Sequence, residues 1–297
     1  MQCYSPLKGY SDSETGGLVF RRQGSHKSVL MEVRCGQCLG CRLYRSNMWM
    51  ARIMHEASLY LDNCFVTLTY RERWSCDDVQ LRNGWHVPDD GSLRKGDFVK
   101  FMKRLRKRFR DRKVRYYQCG EYGEKLERPH HHACLFNLDF SDKKLFQDND
   151  GVLLFTSEIL EELWPYGFST VGELTAESAA YVARYVMKKV TGHLAEDHYL
   201  RFDESGCGYW LEPEYVTMSR RPGIGKAWFD KYKSDMFPSD LMGVPGREPI
   251  RGIPRYYQEL FAEEAPEVLE EMKRVRKAFK QAHGEEYSAQ RWRVSFL

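Results

Sequence analysis

Cys119-Gly120-Glu121-Tyr122-Gly123, followed by Arg128-Pro129-His130-His131-His132-Ala133-Cys134-Leu135-Phe136, is the stretch whose reading decides the fold. Val114–Cys119 and residues 130–137 are rich in strand formers, and the glycines between them mark a turn around Glu121. The segment therefore predicts an antiparallel strand pair. Side chains alternate along a strand, so His130 and His132 share one face and His131 takes the other. Two imidazoles about 6–7 Å apart can share one metal ion, and the turn brings the Glu121 carboxylate alongside as a third ligand. A slip of one residue would exchange which histidines face the site.

Outward from this pair, residues 46–61 read as a helix and Phe65-Val66-Thr67-Leu68-Thr69-Tyr70 as a strand. Residues 71–95 are polar and Gly-bearing, so they read as loops. Asp97 is positioned to cap a helix over Phe98–Arg110, whose apolar stripe is Phe98, Phe101, Met102, Leu105 and Phe109. Ile159–Trp164 reads as a short helix, Phe168–Val171 as a strand, and Ala176–Val190 as a helix with Thr175 at its N-cap. Glu212–Ser219 reads as a strand and Ala227–Lys233 as a helix. Residues 236–254 are rich in Pro and Gly, and 255–283 suit a helical tail. This order predicts an α+β fold with a central antiparallel sheet flanked by helices. Three regions are expected: a Cys-rich segment at 1–45, the main domain at 46–235, and a linker with helical tail at 236–297.

The 297 residues are 30% charged and 14% aromatic, which describes a folded chain with a wet surface. No run of 18 apolar residues exists and Met1–Pro6 is no signal peptide, so a membrane partner is not expected. Nine cysteines without a secretory signal suggest reduced thiols. The net charge of +4 is uninformative, but Lys100–Arg115 holds ten Lys or Arg against a single acid, Asp111. Lys103, Arg104, Lys107 and Arg108 on that helix, and Arg220 and Arg221 further on, are candidate phosphate contacts. A solvated helix face is the competing reading.

On the helix 176–190, Tyr181 and Tyr185 stand at i and i+4, about 40° apart around the axis and about 6 Å along it. Lys188 falls on the same face. Two phenols and an ammonium so placed can carry covalent chemistry on phosphate: a tyrosinate attacks phosphorus and the cation offsets the developing charge. Core aromatics of an amphipathic helix would show the same spacing. Cys35-Gly-Gln-Cys38-Leu-Gly-Cys41 can wrap three thiolates around one ion, with Cys3 as a fourth ligand. Structural zinc, an iron–sulfur cluster and incidental thiols all fit that spacing.

Taken together, these motifs resemble the replication initiators of small single-stranded DNA phages of the microvirus or gokushovirus type, within the HUH endonuclease superfamily. The resemblance is carried by Phe65–Tyr70, by Gly120-Glu121-Tyr122-Gly123 through Arg128-Pro129-His130-His131-His132-Ala133, and by Tyr181-xxx-Tyr185-xx-Lys188. Arg220-Arg221-Pro222-Gly223-Ile224-Gly225 extends it. His131 departs from the family pattern, where a bulky apolar residue usually stands between the two histidines. The resemblance implies an RRM-like sheet and a Mg2+ or Mn2+ ion on Glu121, His130 and His132. It further implies rolling-circle nicking and joining of single-stranded phage origin DNA through a 5′-phosphotyrosine, leaving a 3′-OH primer. A host helicase and DNA polymerase would be partners, in the host bacterial cytoplasm. A relaxase or transposase of the same superfamily, and a non-catalytic zinc-bearing DNA-binding protein, are the alternatives.

Overall fold

The structure, a computed structural model, describes residues 3–11, 18–20, 29–71, 91–123, 127–185, 189–190, 194–202, 206–276 and 278. An N-terminal sheet of β1 (Leu7–Ser11), β2 (Leu18–Val19) and β3 (Val29–Val33) leads into helix α1 (Leu39–Ala57). The central elements follow: β4 (Asn63–Tyr70), α2 (Lys95–Arg108), β5 (Arg115–Tyr122), β6 (Pro129–Phe136), β7 (Lys144–Asn149), β8 (Val152–Thr156), α3 (Glu158–Leu163), β9 (Gly167–Gly172) and α4 (Ala176–Tyr185). Next come α5 (Leu194–Tyr199), the short pair β10 (Leu200–Phe202) and β11 (Gly208–Trp210), β12 (Tyr215–Met218) and α6 (Lys226–Met236). A hairpin of β13 (Leu241–Val244) and β14 (Arg247–Arg251) precedes α7 (Arg255–Glu264) and a last helical stretch at 266–276.

Seven strands form one antiparallel sheet in the order β12-β5-β6-β4-β9-β8-β7. Period-2 alternation divides the side chains of this sheet between two cores. Cys64, Val66, Leu68 and Tyr70 of β4 meet Phe98, Phe101, Met102 and Leu105 of α2 and Leu160 and Leu163 of α3. The other face packs Tyr117, Cys119, Cys134 and Phe136 against Met50, Ile53 and Met54 of α1, Ala179 and Val182 of α4, and Phe229 of α6. Met242, Val244, Tyr257, Leu269 and Met272, from the Pro/Gly-rich and tail regions, join this second core. The predicted α+β class and antiparallel sheet are therefore present.

Several boundaries differ from the sequence expectation. Helix α1 starts at Leu39, and Cys38 is its N-cap residue. Gly40 and Cys41 interrupt the apolar pattern there and hide the first turns. Asp97 does not cap α2: the N-cap is Arg94, with no side-chain cap bond. Asp97 instead lies buried in the first turn, where it accepts the Tyr70 hydroxyl at 3.1 Å. Burying four large apolar side chains, at roughly 1.5–3 kcal/mol each, outweighs a missing cap worth about 1 kcal/mol. Thr175 does cap α4, in a reciprocal arrangement: Ser178 N–H donates to Thr175 Oγ1 at 3.3 Å, and Thr175 N–H donates to Ser178 Oγ at 2.9 Å. Past Tyr185, Lys189 and Val190 are not helical, because the Val190 amide donates to the Tyr199 hydroxyl at 3.1 Å. The hairpins β7–β8 and β13–β14 were not foreseen. The loop expected at 71–95 falls largely outside the described residues.

Candidate metal centre and tyrosine helix

Glu121 is inside strand β5 rather than in a turn, and it stands directly opposite His130 on β6. Pairing of β6 with β4 sets His130 opposite Thr69 and His132 opposite Thr67. The register thus gives His130, His132 and Glu121 one face, shared with α1 and α4, and gives His131 the other. Glu121 Oε1 lies 2.7 Å from His130 Nε2 and 3.1 Å from His132 Nε2. The carboxylate is 1% exposed and the two imidazoles 15% and 7%, so the three groups converge in a nearly dry pocket.

The rings are aimed from behind. His130 Nδ1 donates to the Arg128 carbonyl at 2.9 Å, and His132 Nδ1 meets Thr67 Oγ1 at 3.0 Å. A carbonyl can only accept, so His130 carries its proton on Nδ1 and leaves Nε2 as a lone pair for a ligand. Burial pushes the Glu121 carboxyl up, but its bonds to His130 and His132 outweigh this and hold it below the usual range. One carboxylate and two imidazole nitrogens within 4.8 Å of one another suit a divalent cation of the Mn2+ type. Such an ion prefers about six ligands, which leaves positions for phosphate oxygen or water.

His131 belongs to the opposite core. Its Nε2 meets the Tyr70 hydroxyl at 3.2 Å, and its Nδ1 lies 3.3 Å from the Tyr215 hydroxyl and 3.4 Å from Gln118 Nε2. Complete burial holds its pKa down at about 3, so it is neutral. The third histidine is a buried hydrogen-bonding spacer.

Helix α4 delivers Tyr181 to the histidine face. Its ring stands edge-on to His132 with centroids 5.1 Å apart, and edge-on to Phe65 at 6.5 Å. The backbone of Tyr185 follows one turn later, at the end of α4. Lys188 lies outside the described residues. Ser46 Oγ on α1 donates to the Ala180 carbonyl at 3.2 Å, which ties α4 to α1 beside Tyr181.

The predicted phosphate contacts lie elsewhere. Lys103, Lys107 and Arg108 are exposed on α2, on the sheet face away from Glu121. Arg104 donates from Nε and Nη2 to the Leu163 carbonyl at 3.0 and 2.8 Å, tying α2 to α3. Arg220 and Arg221 are exposed beyond β12, where Met218 pairs with Tyr117 and Tyr215 with Gly120, so they sit at the far end of β5 from Glu121. The loop that follows them is a structural knot. Arg115 Nη2 donates to the Pro222 and Gly223 carbonyls, Arg52 to the Ile224 carbonyl, and the Gly225 amide to Glu56 Oε2.

Two aromatics near the site were missed. Phe168 stands opposite Thr69, on the strand row that contains His130, and is 46% exposed. Its ring meets that of Phe146, 53% exposed, at 5.2 Å. Nothing local marks this pair as a surface, because aromatic residues in strands usually read as core. Thr67 was legible, being period-2 with Phe65 and Thr69. Beside Tyr181 and Phe65 a cleft of about 700 Å³ opens between α4 and β8, with Lys143 and Arg184 at its rim. No helix among the described residues is long and apolar enough to cross a membrane.

A family model described as replication-associated protein ORF2 matches residues 63–190, from β4 to just past α4. The chain is 32% identical over 277 residues to replication-associated protein VP4 of Bdellovibrio phage phiMH2K, covering 90% of this chain and 79% of that one. It is 34% identical over 274 residues to replication-associated protein ORF2 of Spiroplasma virus 4, covering 86% and 79%. It is 30% identical over 254 residues to replication-associated protein ORF4 of Chlamydia phage 1, covering 82% and 57%. No solved structure matches.

Proposed function

The chain belongs to the phage replication-associated proteins, with a role in replication initiation, and from that premise we propose that it is a tyrosine nuclease of the HUH type. In this reading it nicks and rejoins single-stranded origin DNA. Glu121, His130 and His132 hold one Mg2+ or Mn2+ ion, and the carrying observation is that Glu121 Oε1 is within 3.1 Å of both Nε2 atoms while their Nδ1 atoms are tied to Arg128 and Thr67. The bound ion would polarise a phosphoryl oxygen. Tyr181, on the helix that packs against His132, is the first nucleophile. Its oxygen bonds to phosphorus and its proton departs. The bond to the 3′ oxygen breaks, leaving a 5′-phosphotyrosine and, after protonation, a 3′-OH primer. Because the ester conserves the bond energy, rejoining needs no external energy source. Tyr185, one turn along, serves the second transfer, and Lys188 offsets phosphate charge.

The substrate strand runs from this centre over the open sheet, where Phe168 and Phe146 can stack bases. Lys103, Lys107 and Arg108, on the far face, engage flanking DNA through its phosphates, and Arg104 is a scaffold residue. Host helicase and polymerase would extend the primer.

The test is a single-stranded origin oligonucleotide incubated with protein and Mn2+, then resolved on a denaturing gel. A covalent adduct is expected. It should vanish in the Tyr181→Phe/Tyr185→Phe double variant while binding persists. An adduct formed by that double variant overturns the tyrosine assignment.

A further inference from the structure

The cysteine cluster is absorbed by none of this chemistry. Cys3 precedes β1, Cys35 and Cys38 flank the turn between β3 and α1, and Cys41 lies in the first turn of α1. Their sulfur atoms meet although Cys3 and Cys35 are 32 residues apart. Sγ separations are 3.6 Å for Cys3–Cys35, 3.8 Å for Cys3–Cys38 and 4.0 Å for Cys35–Cys41, and all four sulfurs lie within 4.8 Å of one another.

These distances discriminate between chemistries. A disulfide needs sulfurs about 2.05 Å apart. Four thiolates at about 2.3 Å from one tetrahedral ion stand about 3.8 Å from each other, by geometry alone. A cluster of several irons would hold its thiolates further apart than a single ion does. The backbone is shaped for a single ion as well. Gly36 adopts φ +75°, the left-handed turn that folds Cys38 back toward Cys35. Three amides aim at sulfur, each at 3.3 Å: Cys35 N–H to Cys3, Tyr4 N–H to Cys38, and Cys38 N–H to Cys35. N–H groups directed at sulfur stabilise thiolate charge, as does the N-terminus of α1.

We propose that Cys3, Cys35, Cys38 and Cys41 form a tetrathiolate zinc site that clamps the N-terminal sheet to the start of α1. The consequence reaches the tyrosine helix. β1–β3 presents exposed Leu7, Leu18, Leu30 and Met31, and the described residues of that sheet contribute nothing to either central core. The ion is what fixes this sheet to the rest of the chain. It also anchors the first turn of α1, whose Ser46 braces α4 one residue before Tyr181.

The test uses the full chain, expressed and purified without chelator, in a His130→Ala/His132→Ala background that removes the other metal centre. Elemental analysis should give about one zinc per chain, the stoichiometry of a closed four-thiolate site. Exchange into Co2+ should produce thiolate-to-metal charge-transfer absorption, which histidine and carboxylate ligands cannot give. Cys38→Ser should lose both signals. Less than about half an equivalent of zinc, iron in its place, or a Co2+ derivative without charge-transfer bands overturns the proposal. If Cys38→Ser is insoluble, the two measurements on the unaltered cysteines still decide.

Discussion

His131 and His132 are chemically identical neighbours with opposite fates, separated only by which side of β6 each faces. His132 points at Glu121, and His131 is enclosed by Tyr70, Gln118 and Tyr215. His132→Leu should therefore abolish Mn2+ binding in calorimetry, whereas His131→Leu should keep it while lowering stability by about 1–3 kcal/mol, the cost of stranding buried polar partners. Equal loss of Mn2+ binding in both variants would refute the register. Gly120 is as tightly specified. A Cβ there would lie 2.7 Å from the Tyr215 ring and 3.1 Å from His131 Nδ1. Gly120→Ala should cost about 1–3 kcal/mol in denaturant unfolding, because neither buried ring has room to give. The two ligand histidines were legible from alternation alone. The role of His131 was not, since its partners come from strands and loops as far away as Tyr215.

At the scale of elements, the site depends on α1 being held to β5. The bond is a buried ion pair, Arg115 Nε to Glu56 Oε1 at 2.5 Å, with the two side chains 7% and 1% exposed. The same two residues grip the loop 222–225, which seats α6. Glu56→Ala leaves the Arg115 charge buried without compensation and should cost about 3–5 kcal/mol in chemical denaturation, more than a surface pair could. The segment around Arg220–Gly225 looked from its sequence like a basic phosphate loop. Its carbonyls and the Gly225 amide are instead consumed by side chains of α1 and β5. A second element-scale expectation concerns the open sheet: Phe146→Ala with Phe168→Ala should weaken binding of single-stranded oligonucleotide roughly 5- to 150-fold, at about 1–3 kcal/mol per stacked base. Thermal stability should barely change, because both rings are exposed. Unaltered binding would remove them from the DNA path.

For the molecule as a whole, the core over α1 contains a pH-sensitive element. His55 is buried, stacks on Trp228 at 3.5 Å, donates from Nε2 to the Gly243 carbonyl at 2.8 Å and accepts from the Tyr257 hydroxyl at Nδ1. Burial pushes its pKa down to about 4 from an ordinary value of 6.5. Below pH 6.5 the unfolded chain takes up a proton there that the folded chain refuses. Its contribution to stability is thus complete above that pH. It falls by about 1.4 kcal/mol per pH unit toward pH 4. Denaturant unfolding at pH 7 and pH 5 should show this loss, and His55→Phe should reduce it. The sequence by itself determined the α+β class, the strand pair that carries His130 and His132, and the helix that carries Tyr181, because each follows from a local period of two or 3.6 residues. Only the tertiary structure decided that Glu121 belongs to the strand and not to its turn, that α2 lies across the sheet from the metal centre, and that four distant thiols meet. Strand order and long-range loop closure set those relations, and no local pattern of residues encodes them.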